Sequence, residues 1–513
     1  MLGVFKVEST DSLALQYLAH LTHSPALAVL ASVLIYAFFH TYNRKPFDAI
    51  PLIGHLHIFL TRPRWGHLNW FLAASRYHLS LTRPEHLCAR DDARQVEFAE
   101  GLSWTLKAPG TARSIFTSDP ACIKYVLAIK SREFSKAGLF ADNTRDMLGD
   151  GIFVVQGEHW RMQRQAGKVF ALPTTLAFVH DTVLPRCLDI LLVELDRVAA
   201  RGETVDLQSW FKSVNLAVFG ALAFNAAPEA VLSRLAQTLD GALKSLADRF
   251  ANPAWPITER LTAKGRRFRH DIAEVKSLSL QLVQEVLHDA KRRVEEDSSS
   301  GGEDKPTRRP TLVELLLKAG VDDISEIADS CINYTIAGRD TTAHALTWTT
   351  YQLLENPSIL SDLRDFLNST TSMINAVPEK MSIVPNLCYH LSPLSDILSE
   401  TLRLHPPIPT ELVQHVGAAP LCLPSGQVVR PGEWGRMREA GEKKTVYELP
   451  TFHAGPRACL GKDMAKIVMI RTMEAVIRRY DIQGVGERKG RLGVGFTGEM
   501  EGGLHVKLTI RKK

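Results

Sequence analysis

The chain has 513 residues, 45% of them hydrophobic and 23% charged, an ordinary globular composition that excludes a disordered or fibrous protein. At roughly 100–200 residues per domain, this length suggests about three domains or one large single-core enzyme. Lysine and arginine exceed aspartate and glutamate by only 61 − 56 = 5, so charge gives no case for a nucleic-acid partner.

In chain order, the first feature is an uncharged run, PALAVLASVLIYAFF at 25–39, which His40, Thr41 and Tyr42 extend to 18 residues. A bilayer span needs about 17–25 apolar residues, so the run predicts a single-pass anchor. Tyr36 and Tyr42 suit an interface, and Arg44-Lys45 would hold the following chain on the cytoplasmic side. A cleaved signal peptide fits less well, because no positive cluster precedes the run and no small-x-small site follows it. A buried core helix is the other reading. The domain plan is an anchor and flank at 1–45 and one body at 46–513.

After the anchor, 45–56 (KPFDAIPLIGHL) reads as a Pro/Gly-punctuated loop. Residues 150–170 read as a turn followed by a helix, and helical periodicity then covers 206–224, 229–250, 262–294 and 312–355. The polar stretch 294–310, rich in Ser, Gly and charge, predicts a surface connection between helices. Strand signals come late. Residues 420–432 suggest a hairpin around Ser425-Gly426, and 503–512 alternates like a strand. The expected class is mainly α with minor β.

Seven cysteines (88, 122, 187, 331, 388, 422 and 459) are too few and scattered for a disulfide scaffold, and no pair has CxxC spacing. One of them carries chemistry. In FHAGPRACLG (452–461) two glycines, Gly455 and Gly461, bracket Cys459 and let backbone approach closely. KDMAKIVMIRTMEAVIRRY (462–480) follows with apolar residues at helical spacing. A cysteine at a helix start meets the positive end of the macrodipole, so a stabilised thiolate is expected. Arg457 adds a cation suited to a carboxylate. A stabilised thiolate beside such an Arg is what an axial haem ligand needs, with the Arg pairing a propionate. A buried structural cysteine is the bland alternative.

The segment matches FxxGxRxCxG, from Phe452 through Gly455, Arg457 and Cys459 to Gly461, and so resembles the signature of the cytochrome P-450 monooxygenases. Three further motifs follow that family's chain order. Ala337-Gly338-Arg339-Asp340-Thr341-Thr342 resembles its oxygen-activation motif, in which Thr341 would bond the oxygen under activation and Asp340 would feed protons to it. A Gly and a Thr on one turn can open the helix ladder there. Glu400 and Arg403 resemble the ExxR pair, with a structural role on the haem side. Trp160 and Arg164 resemble the WxxxR helix that contacts haem propionates.

The resemblance implies the P-450 fold, a helical haem-binding body with small sheets behind one membrane helix, and haem b on the Cys459 thiolate. It also implies electrons from an NADPH-dependent reductase and a location at the endoplasmic reticulum, facing the cytoplasm. Residues 148–164, the Arg of AGRDTTA and 452–465 look most like the fatty-acid and alkane hydroxylase branch of fungi and plants. The implied substrate is a long-chain fatty acid or a related aliphatic or secondary metabolite.

Two departures stand against this. Residues 77–102 look like an inserted loop. The stretch from Arg403 to Cys459 is short, and 433–450 stands where a final strand, a Pro-Glu-Arg-type motif and a long meander belong. The meander's Arg would complete the Glu400–Arg403 triad, and Arg436 or Arg438 is the nearest substitute. The alternative function is therefore a membrane-tethered family member without haem.

Overall fold

The computed structural model describes residues 103–511, apart from 107–113, 137, 226–228, 251–254, 300–308, 375–392, 410, 427, 430–433, 438–444, 487–489 and 494. The expected anchor, the 77–102 insertion and most of the 294–310 connection lie outside the described residues. Among the described residues, no helix is long and apolar enough to cross a membrane.

The body is built on helices. In chain order they are α1 (Pro120–Lys124), α2 (Leu139–Leu148), α3 (Gly157–Gly167), α4 (Pro173–Phe178), α5 (Leu184–Arg201), α6 (Leu207–Ala223) and α7 (Glu229–Arg249). Then come α8 (Trp255–Leu261), α9 (Ala263–Ser299), α10 (Leu312–Lys318), α11 (Ile324–Glu355), α12 (Pro357–Ile374), α13 (Pro393–Leu404) and α14 (Lys462–Arg479). The periodic runs at 206–224, 229–250 and 262–294 thus appear as α6, α7 and α9. The run at 312–355 is two helices, not one. It breaks at Gly320, whose φ of +92° a side-chain-bearing residue rarely adopts, and Asp323 restarts it by accepting the Ser325 amide at 2.8 Å.

Helix α11 is the axis of the body. It packs against α6 and α9 on one side and α13 and α14 on another. Trp348 is wholly buried there and donates from Nε1 to the Gly498 carbonyl at 2.8 Å. Burying each such large apolar side chain stabilises by about 1.5–3 kcal/mol, and α11 also buries Ile327, Ile332, Ile336, Leu346 and Leu353. Asp206 joins the sheet to this body. It caps α6 by accepting the Gln208 amide at 3.1 Å and also takes the Leu504 amide at 2.8 Å. A cap of this kind contributes about 1 kcal/mol.

The strands form small sheets. Strands β1 (Ser103–Leu106), β2 (Ser114–Thr117), β3 (Phe134–Ser135), β5 (Glu411–His415) and β8 (Trp434–Met437) make one sheet in the order β1-β2-β8-β5-β3. Strands β4 (Thr204–Asp206), β9 (Tyr480–Gly484) and β10 (His505–Ile510) make a second, in the order β4-β10-β9. The expected hairpin is present as β6 (Leu421–Cys422) and β7 (Val428–Val429), with Gly426 at φ +82° in its turn.

Strand β8 revises the view of 433–450 as a place where sheet is missing. It runs parallel to β2 with Ser114 opposite Trp434, and antiparallel to β5 with Glu411 opposite Met437. The short segment therefore still supplies the strand that closes the gap between β2 and β5. The side chains of Arg436 and Arg438 lie outside the described residues.

Candidate active site

The cysteine loop is shaped by backbone bonds within it. The Cys459 amide donates to the Phe452 carbonyl at 2.8 Å, and the Ala458 amide donates to the Gly455 carbonyl at 3.1 Å. Phe452 packs, partly buried, on the main core. Gly455 sits at φ +64°, and a Cβ there would lie 2.1 Å from the carbonyl oxygen of Leu127, backbone of the helical segment Tyr125–Ile129. Left-handed strain in a non-glycine residue costs about 1–3 kcal/mol before that clash is counted. Gly455→Ala is therefore expected to displace the loop. The check is haem content per purified chain, which should fall at least severalfold, and full occupancy would show that the loop can shift without harm.

Gly461 differs. Its φ is −89° and a Cβ would meet only ordinary contacts, with Cys459 Sγ at 4.0 Å, so space does not demand glycine there. What Gly461 contributes is its amide, which bonds to the sulfur and favours the thiolate.

The expectation of a stabilised thiolate is not met by the protein alone. Burial pushes the Cys459 thiol up, and that outweighs the Gly461 amide and the Arg164 cation, which pull the other way. Helix α14 begins at Lys462, with Gly461 as its cap, so the sulfur is beyond the first turn, where the dipole is strongest. A coordinated metal ion removes the thiol proton outright. Although deep, Cys459 keeps an open face.

The two motifs expected to hold propionates come together beside it. The Arg457 guanidinium lies 4.5 Å from the Trp160 ring centroid and that of Arg164 lies 5.4 Å from it. Arg164 Nη2 donates to the Ala458 carbonyl at 2.9 Å, one residue before the cysteine. Burial lowers the Arg164 pKa. Arg457 donates to Gln156 Oε1, a neighbour that no sequence spacing indicated. Gly167, at the end of α3, has no room for a Cβ: it would stand 2.2 Å from Tyr334 Oη and 2.9 Å from Leu460 Cδ1. That close approach brings α3, α11 and the cysteine loop to one point.

Helix α11 shows where it faces open space. Between Cys331 and Thr350 its residues are buried except Ala337, Gly338 and Thr341, which share one face at helical spacing. No break in the ladder accompanies this. The helix runs unbroken through 337–341, and Thr341 Oγ1 donates to the Ala337 carbonyl at 2.7 Å, so the anticipated opening is absent. Gly338 is needed for packing, because a Cβ would come within 2.8 Å of the Phe219 ring of α6. Asp340 does not share the open face. It is buried and accepts from Arg339 Nη1 at 2.9 Å.

Glu400 and Arg403 bond as their spacing predicts, with Arg403 Nε to Glu400 Oε2 at 2.8 Å and Nη2 to Oε1 at 2.6 Å. Their place differs from a haem-side core. The Glu400 side chain is 56% exposed, so the pair is a surface one worth about 0–1 kcal/mol.

This donor set fits a haem: one exposed sulfur, two guanidinium groups against one Trp ring for the propionates, and a small-residue strip on α11. Among the described residues no other cluster of His, Cys, Asp or Glu is arranged to hold a metal ion.

Comparison with known proteins agrees. The family model described as Cytochrome P450 matches residues 101–432, a span that ends before Cys459. The chain is 27% identical over 468 residues to cytochrome P450 monooxygenase cyp1 of Mycosarcoma maydis, covering 81% of this chain and 71% of that one. It is 28% identical over 464 residues to cytochrome P450 94A1 of Vicia sativa, covering 82% and 85% of the two chains. With cytochrome P450 86B1 of Arabidopsis thaliana the identity is 25% over 561 residues, with 98% and 93% covered. Among solved structures, the cytochrome P450DA heme domain superposes with a TM-score of 0.64 at 18% identity, over 88% of this chain and 96% of that one. With the fold, the matched span and the cysteine loop in accord, the chain belongs to the cytochrome P450 family and is a cytochrome P450 monooxygenase.

Proposed function

We propose that this protein is a haem-thiolate hydroxylase of long-chain fatty acids or related aliphatic or secondary metabolites, with Cys459 as the axial ligand. The observation that carries the site is the open face of Cys459 beside the Arg164–Trp160–Arg457 cluster. The substrate class rests on the resemblance of 148–164, 337–343 and 452–465 to the fatty-acid hydroxylase branch.

When bound, haem supplies an iron that activates dioxygen and inserts one oxygen atom into a C–H bond. The balance is one dioxygen, one C–H bond, two electrons and two protons giving one alcohol and one water. The chain's own residues have separable tasks. Arg164 and Arg457 pair the propionates, and both guanidinium groups rest on the Trp160 ring. Thr341 presents its hydroxyl on the open face of α11, and its bond to Ala337 holds it there until oxygen competes for it. Asp340, one residue earlier, supplies protons. The two electrons come from an NADPH–cytochrome P450 reductase.

The test is the reduced, carbon-monoxide-treated absorption spectrum of the full chain expressed in membranes with haem supplied. A strongly red-shifted Soret band is expected, and long-chain fatty acids are then the first substrates to assay. A histidine-type band would remove Cys459 as the ligand, and absence of haem would leave the haem-free alternative, which the exposed Glu400–Arg403 pair favours.

The apolar run at 25–42 supports a single-pass location in the endoplasmic reticulum, with the catalytic body and the lipid-derived substrate on the cytoplasmic side. Membrane fractionation is expected to place the full chain in the alkali-resistant pellet. Recovery in the supernatant would remove the anchor.

A further inference from the structure

The charged groups between α6, α7 and α11 meet the reading above at one end only. Asp240 of α7 takes the guanidinium of Arg339 on both carboxylate oxygens, from Nη1 to Oδ1 at 3.0 Å and from Nη2 to Oδ2 at 2.8 Å. The same Nη1 donates to Asp340 Oδ1 at 2.9 Å. Asp240 therefore holds the fork, and Asp340 receives one shared bond. The three side chains lead inward from water, being 41%, 5% and 3% exposed for Asp240, Arg339 and Asp340.

The surroundings balance. Lys212 of α6 donates to Asp240 at 3.1 Å and lies 3.5 Å from Glu499, which Lys244 reaches at 3.8 Å. Three cations thus face three carboxyl groups. His344, one turn beyond Asp340, is buried with neither ring nitrogen bonded, and burial keeps it neutral. It adds no charge.

A buried carboxyl stays ionised only when a cation grips it well. A planar guanidinium grips best with two parallel bonds, and the Nη1–Nη2 edge of Arg339 can give both to one carboxylate only. Arg339 has spent it on Asp240. Asp340 accordingly remains pushed up by burial despite Arg339 and Lys212 nearby.

We propose that Asp240 is a positioning residue for proton supply: by occupying the fork of Arg339 it leaves the Asp340 carboxyl with a single shared bond, able to take up a proton and pass it on. This inference rests on the reading of Asp340 and Thr341 as the pair that serves oxygen. Removing the charge of Asp240 frees the fork, Arg339 turns onto Asp340, and the carboxyl is held ionised. Protons then arrive late. Both oxygen atoms leave as hydrogen peroxide with the same two electrons and two protons, and the C–H bond is untouched.

Two measurements on the haem-loaded, full-length enzyme test it. The first is difference infrared spectroscopy across a pH titration, in which a protonated-carboxyl stretch absent from Asp340→Asn reports Asp340. Asp240→Asn should shift the appearance of that band to lower pH, Asp240→Glu should leave it in place, and an unshifted band in Asp240→Asn overturns the inference. The second is product formed per NADPH consumed. Asp240→Asn should fall at least threefold toward the level of Asp340→Asn and Thr341→Ala, and the double variant Asp240→Asn/Arg339→Gln should recover, because no fork remains to seize Asp340. A double variant as uncoupled as the single one points to a merely structural role and overturns it. Should Asp240→Asn fail to hold haem, Arg339→Gln decides alone, since coupling well above that of Asp340→Asn supports the inference and coupling equal to it overturns it. If the infrared result holds while Asp340→Asn stays coupled, the reading of Asp340 as proton donor is what failed, and the inference falls with it.

Discussion

Cys459→Ala is expected to abolish the red-shifted Soret band and bring turnover below detection, while the helical circular dichroism of the protein is kept. The two outcomes separate because Cys459 is not a packing residue. Its open face touches little, so removing one sulfur atom there should cost no more than the few tenths of a kcal/mol typical of unpacked positions. Its chemical loss is expected to be total, since the other described cysteines all lie outside the 452–461 loop. Cys122 and Cys331 are buried, and Cys331 lies within α11 with its thiol pushed well above the usual range by burial. The reduced, carbon-monoxide-treated spectrum of the variant is the measurement. A surviving red-shifted band would move the ligand away from Cys459 and refute the assignment.

Arg249→Met is expected to destabilise the fold by about 3–5 kcal/mol, the cost of breaking a buried ion pair from one side. Arg249 closes α7, and its side chain is 1% exposed. All five of its N–H groups are used. Nε and Nη2 donate to the two oxygens of Glu259 at 2.7 and 2.8 Å, and Nη1 and Nη2 donate to those of Asp146 at 2.6 and 2.7 Å. The remaining Nη1 proton goes to the Asn143 carbonyl at 2.7 Å. Trp255 and Phe268 lie on the guanidinium with ring centroids 4.0 and 4.7 Å away. One side chain thereby ties α2, α7, α8 and α9 together.

Methionine fills the same volume but leaves Glu259, only 14% exposed, without its cation. Arg249→Lys should restore part of the loss, because a point charge cannot serve two carboxylates and a carbonyl at once. Denaturant midpoints of the two variants and wild type measure this. A loss under about 1 kcal/mol for methionine would mean that Asp146 and Glu259 both reach water when released.

Much of the site was readable from short stretches of chain. The turn around Gly455 follows from a glycine where φ must be positive, and the pairing of Glu400 with Arg403 follows from a three-residue spacing on a helix. Trp160 and Arg164 meet because they stand one helical turn apart. Local geometry of this kind is dictated within about ten residues. The break at Gly320 was equally local and was passed over because apolar periodicity continues on both sides of it.

Other features had no local signal. Asp240 and Arg339 are 99 positions apart, and Arg249 and Asp146 are 103 apart. An aspartate on a helix face is ordinarily a solvated one, and nothing in either sequence neighbourhood marks its partner. The desolvation that raises the Cys459 thiol had no local signal either, since proximity to a helix start is local and burial is not.

By itself, then, the sequence determined the elements and the chemistry to be held: long amphipathic helices, a glycine-bracketed cysteine, and the Trp, Arg, Asp and Thr that serve it. These depend on dihedral preference, capping and side-chain type, which act between near neighbours. Only the tertiary structure decided that 434–437 closes the sheet, that Glu400 and Arg403 face water, that Cys459 stays exposed, and that Asp240 takes the fork of Arg339. Those outcomes depend on burial and on which distant groups share a low-dielectric interior, and both are settled when the helices pack.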